Sequence, residues 1–238
     1  ARVFEQLLNI RGEQLLGNVA ILAEDFGFKS AVATQDTATL YSVLANHGDR
    51  AKADLVMLSD LNGNVLASSH HAQNSAMPFP DLFQRAQQTG SGVGVVIDDG
   101  EPYEFVLLPV RAPNLIGWVG MGFLIDENVT SELNALTGLE VSIVTYDASG
   151  DISYLASSHS DQLAVSLMSD SGKQLIEGAY TPSHQLSQEN GYFSYATTLM
   201  ADPNFQTFAL IQLSRDELLA AYSRLQWQLL SIVALMLL

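Results

Sequence analysis

Five histidines, His47, His70, His71, His159 and His184, are the residues of this chain best suited to proton or metal chemistry. Two of them follow a pair of serines, in Ser68-Ser69-His70 and Ser157-Ser158-His159. A nucleophilic serine meets its base across a fold rather than along a chain, and no Gly-x-Ser-x-Gly elbow occurs, so hydrolysis has no support here. Metal binding fares no better: no His-x-x-x-His spacing is present, there are no cysteines, and adjacent strand residues such as His70 and His71 would point to opposite faces. Asp60, Asn62 and Asn64 alternate like calcium ligands. An EF-hand loop, however, needs Gly sixth and Glu twelfth, where this stretch has Gly63 fourth and His71 twelfth. Gly90, Gly92, Gly94 and Gly100 do not open a helix that could cradle a phosphate. The chain reads as having no catalytic residue, no metal and no cofactor.

A ligand pocket is the better reading, because such sites combine apolar walls with a few polar groups. Tyr103 and Phe105 share a strand face by period two, Arg111 follows at the edge, and Trp118 opens the next strand. His70 and the proline-containing loop around Phe79 would supply a lid. The competing reading of the aromatics is ordinary core. Arg111 is harder to place in a core, and in so acidic a chain it would suit an anionic or zwitterionic ligand.

The elements that must hold these residues announce themselves by repetition. MLSDLNGNVLASSH (57–70) and VTYDASGDISYLASSH (144–159) are two versions of one phrase, each an apolar run, Asp-x-x-Gly, and a second run ending in Ala-Ser-Ser-His. That is the chemistry of a β-hairpin, since Asp bonds its own backbone and Gly accepts positive φ. The separation is that of a small domain and points to two similar domains in tandem. Composition agrees: 238 residues, 47% hydrophobic and 15% charged, suit a globular chain with two cores. The net charge of -16 would repel phosphate backbones, which excludes nucleic acid as a partner.

Periodicity predicts a long amphipathic helix over 2–26, with Phe4, Leu8, Leu15, Val19, Leu22 and Phe26 on one stripe, interrupted at Gly12 and ended by Gly27. A second helix should run to Gly48. Strands follow at 55–58, 65–68, 93–97, 103–110 and 118–125, with a short helix from Asp81. The order then restarts: a helix over 127–136 capped by Asp126 and stopped by Gly138, a hairpin of 139–145 and 152–156, a weak helix near 162–172, and strands at 192–199 and 205–213. Ser-x-x-Glu at 214–217 caps a final helix that runs past Trp227 into the apolar LLSIVALMLL (229–238), about half of a membrane span. The chain also opens on Ala, and both ends read as trimmed from a larger membrane protein. These features give an α+β fold. Its predicted parts are helices at 1–48, a membrane-distal unit at 49–126, a membrane-proximal unit at 127–213, and at 214–238 a helix entering the membrane.

A long first helix, two hairpin-bearing α+β units and a capped exit helix resemble the double-Cache family of tandem PAS-like extracytoplasmic sensors. DLVMLSDLNGNVLASS (54–69), WVGMGFLID (118–126) and LEVSIVTYDASGDISYLASS (139–158) carry the resemblance. It implies a periplasmic small-ligand sensor of an inner-membrane protein that is not itself an enzyme. It also implies a homodimer through the first helix and a cytoplasmic output, with a texture most like sensors attached to cyclic-di-GMP synthases or phosphodiesterases. The alternative is an extracytoplasmic module that only dimerises or binds another protein. The Tyr/Arg/Trp/Tyr/Asp signature of amino-acid-binding members is not found.

Overall fold

A computed structural model describes residues 2–34, 36–159, 187–189, 192–215 and 219, with the backbone alone at 2–5, 9, 37 and 187–189. The predicted helix at 162–172, most of the exit helix and the apolar run lie outside these residues. No helix among those described is long and apolar enough to cross a membrane. The chain divides after Ile125 into two compact units.

The first unit opens with α1 (Arg2–Glu24), α2 (Phe26–Thr34) and α3 (Thr37–Ala51). The single predicted second helix is therefore two, and the reason is capping. Asp25 Oδ1 accepts from Phe28 N at 2.7 Å, and Asp36 Oδ1 from Thr39 N at 3.4 Å, each starting a new helix. Gly27 and Gly48 end nothing and sit inside α2 and α3; Lys52, at φ 56°, ends α3. Leu15, Val19 and Leu22 are buried as the stripe requires, whereas Phe26 is 86% exposed because the chain has already turned at Asp25. Each fully buried Leu or Val contributes about 1.5 to 3 kcal/mol.

Strands β1 (Leu55–Ser59) and β2 (Val65–Ser68) precede α4 (Pro80–Thr89), and β3 (Gly92–Asp98), β4 (Glu101–Arg111) and β5 (Leu115–Leu124) complete the unit. They form one antiparallel sheet of order β2-β1-β5-β4-β3. Asp99 and Gly100, both at positive φ, make the tight turn between β3 and β4. Both faces of this sheet are covered. Val56, Leu58, Val106, Leu108, Val119 and Met121 meet the helices α1–α3; Met57, Phe105, Leu107 and Trp118 meet Phe79, Leu82 and Phe83 at the start of α4.

The second unit begins with α5 (Glu127–Thr137), capped by Asp126 and stopped by Gly138 as expected. β6 (Glu140–Asp147), β7 (Ile152–Ser157), β8 (Ser187–Glu189), β9 (Tyr192–Ala201) and β10 (Phe205–Ser214) follow. Their order, β7-β6-β10-β9-β8, repeats the first sheet's. The repeated phrase makes the same bonds twice. Asp60 Oδ1 accepts from the backbone N of Asn62 and Asn64, and Asp147 Oδ1 from Ser149 and Asp151. Gly63 and Gly150 stand at φ 86° and 82°. Ser69 exchanges two bonds with the Val56 backbone, and Ser158 two with Val141.

Gly12 is needed for close approach. A Cβ there would lie 2.7 Å from Val93 Cγ1 and 2.9 Å from Glu104 Oε1, so only glycine lets α1 sit this low on β3 and β4. Gly17, on the same helix, is exposed with nothing within 4 Å of a built Cβ. Gly12→Ala should therefore destabilise the protein by about 1 to 3 kcal/mol through overpacking. Gly17→Ala should stabilise it by up to about 1 kcal/mol through helix propensity. Urea unfolding of the two variants checks the contrast, and equal effects would remove the close-approach argument.

Candidate ligand-binding site

The sequence-predicted residues lie along β4 and under α4. Tyr103, Phe105 and Trp118 all face α4 in one buried cluster that includes Phe79. Phe105 is fully buried, its ring 4.9 Å from Phe79. Trp118 packs edge-on against Phe83 at 5.9 Å. It pairs with Pro109, six residues beyond Tyr103 on β4, or roughly 20 Å away at about 3.3 Å per residue. Arg111 is farther still, exposed at the frayed end of β4 beyond a bulge. The expectation that all six residues meet one small ligand gives way at this point. Roughly 26 Å of strand separates Arg111 from Tyr103, so one small molecule cannot touch both.

Polar groups gather at the Tyr103 end, and most of them were not legible. β2 ends in a bend in which Ser68 Oγ accepts from the backbone N of both His70 and His71. That bend lets adjacent histidines do what neighbours on a strand cannot. His70 Nδ1 lies 2.9 Å from Asp98 Oδ2, and His71 Nε2 lies 2.9 Å from Asp98 Oδ1, so one buried carboxylate is held between two imidazoles. The rings are backed by aromatics, His70 by Tyr103 at 6.2 Å and His71 by Phe79 at 6.3 Å. The Tyr103 hydroxyl donates to Glu101 Oε2 at 2.8 Å. Burial, then the bond to Glu101 and the charges of Glu101, Asp98 and Asp54, push its pKa upward. The end of the face is thus an acidic rim with two histidines. The only sequence signal for Asp98 was its place in a turn motif.

At the other end, Ser59 Oγ and Trp118 Nε1 are buried without a hydrogen-bond partner among the described residues, on paired positions of β1 and β5. Each unit also has an open cavity among its described residues. One of about 200 Å³ adjoins Tyr41, Leu44, Asp54 and Ser69; another of about 380 Å³ lies between the Asp147 and Asp202 turns of the second unit. No cluster of three or more metal-ligating side chains occurs among the described residues.

A family model described as "Double sensory domain of two-component sensor kinase" matches residues 1–210. The chain belongs to this double-Cache family, a class of non-catalytic sensory modules. Among solved structures it is similar to a domain of a sensory box/GGDEF family protein from Vibrio parahaemolyticus, at 14% identity and TM-score 0.48, covering 89% of this chain and 92% of that one. It is similar to the sensor domain of the V. cholerae histidine kinase DctB, at 13% identity and TM-score 0.46, covering 87% and 97%. It is similar also to the ligand-binding domain of the Pseudomonas fluorescens chemoreceptor CtaA in complex with L-serine, at 17% identity and TM-score 0.45, covering 90% and 99%. No curated protein matches the chain.

Phe105→Ala should cost about 3 to 5 kcal/mol of stability, because it empties a fully buried site. Arg111→Ala should change stability by no more than about 0.5 kcal/mol. Chemical denaturation of both checks this, and a mild Phe105→Ala would reveal slack in the face where a ligand could sit.

Proposed function

We propose that the chain is the periplasmic, small-ligand-sensing part of an inner-membrane signalling protein, with its ligand at the polar end of the α4-covered face of the first unit. His70, Phe79 and Tyr103 form this site together with His71 and Asp98; Phe105 packs behind Phe79 as core, Trp118 closes the far end of the face, and Arg111 stays outside. The observation that carries the placement is the Asp98 carboxylate, hydrogen-bonded to His70 and 2.9 Å from His71 Nε2, at the edge of an aromatic face. Asp98, Glu101 and Asp54 favour a ligand that brings an ammonium group, so a zwitterion fits better than a plain anion. Ligand uptake would shift the population of sheet packings and pass to the cytoplasmic output, for which the sequence texture favours cyclic-di-GMP turnover.

A thermal-shift screen against amino acids, amines and organic acids tests the site. A specific stabiliser should raise Tm by linkage, and Asp98→Asn should lose most of that rise. A ligand that stabilises Asp98→Asn equally would move the site elsewhere. A screen without hits would favour the alternative, an interaction module.

The same proposal includes a homodimer through α1. Leu15 belongs to the intramolecular core, so the outward stripe Ile10, Gly17 and Ile21 is the candidate seam. Ile21→Glu should abolish the dimer in sedimentation while leaving the monomer folded, whereas Leu15→Glu should cost a few kcal/mol of stability. Unchanged sedimentation of Ile21→Glu, or a wild type that is monomeric throughout, would remove the seam.

A further inference from the structure

Glu104 lies on the face of β4 that α1 covers, its side chain only 4% exposed. Val95 of β3 and Phe123 of β5 are its paired neighbours, and they share that face. Gly12 of α1 closes over it, so near that a Cβ there would stand 2.9 Å from Glu104 Oε1. Arg11 Nε lies 3.2 Å from Glu104 Oε2. Among the described residues, Arg11 is the charged group whose field reaches this carboxylate. β3 places Val93 and Val95 on this face, and β5 places Met121 and Phe123. Neither strand sets a charge beside Glu104, and none is felt from α2 or α3.

A carboxylate in this position has given up its water to the helix above it. One guanidinium, itself 27% exposed, returns only part of that loss. We propose that Glu104 is a proton-binding site through which the docking of α1 on the first sheet responds to the pH around the protein. Neither the ligand site on the opposite face nor its identity enters this proposal. Burial pushes the Glu104 carboxyl up to about 7, against the downward pull of Arg11. If α1 lifts, water returns and the group falls back toward its ordinary value of 4.5. Docked α1 therefore keeps a proton that lifted α1 releases between these two values. Docking is favoured at the acid end of that window and loosens as pH rises toward 7.

Amide hydrogen exchange of α1, corrected for intrinsic rates and followed from about pH 5.5 to about pH 8, tests this on the full chain. Opening of the wild-type helix should increase on the order of tenfold across that range, and Glu104→Gln, permanently neutral, should show no such rise. Carbon-13 NMR titration of the wild-type Glu104 carboxyl should find its midpoint near neutrality, and this measurement stands even if the variant fails to fold. A midpoint below about pH 5, or the same pH dependence in wild type and Glu104→Gln, overturns the proposal.

Discussion

The first sheet is buried on both faces, and most features of its unit follow from that constraint. An antiparallel sheet commonly keeps one face in water and alternates apolar with polar residues. Here β1 is buried at every position, and β4 is buried at eight of its eleven, because α1–α3 cover one side and α4 the other. A charged side chain buried on such a sheet is costly unless it finds a partner or shifts its charge state. Asp98 solves the problem with two histidines, Glu104 with Arg11, and Tyr103 with Glu101. Chemistry in this unit sits where polar groups have been forced into a layered core, one set on each face.

The same constraint decides what was legible. Helix caps and hairpin turns rest on local bonds, and the residues that make them are close in sequence. Asp126 with Gly138, Asp60 with Gly63, and Asp99 with Gly100 all do what their types imply. The break at Asp36 is equally local, an Asp-x-x-Thr cap set just ahead of the apolar stripe of α3. The site was less legible. A sheet buried on both faces loses the alternation that tells pocket from core, so Tyr103, Phe105 and Trp118 could be placed on a strand face but not distributed along it. Arg111 was judged by its charge rather than by its position at a strand end. Asp98 depends on a bend at Ser68 that presents His70, twenty-eight residues before Asp98, and no periodicity reveals it.

The repeated phrase shows which part of such a motif is architectural. In both units the second serine fastens the strand end to its neighbour's backbone, donating from its N and accepting at its Oγ, and the first accepts from the backbone N of the histidine. The fold uses these serines identically, so Ala-Ser-Ser belongs to the hairpin. The histidine side chains part company. His70 reaches the Asp98 carboxylate on β3 at 2.9 Å, while His159 places Nε2 3.1 Å from Gln212 Oε1 on β10 and Nδ1 3.8 Å from Glu140 Oε2 on β6, and Gln212 in turn donates to Ser194. Asp98 is in hydrogen-bond contact with its imidazole, whereas at His159 that contact belongs to the Gln212 amide and the Glu140 carboxylate stands beyond it. One hairpin written twice thus delivers a histidine to the same face of each sheet. What that histidine can do is decided by a residue that lies outside the repeated phrase.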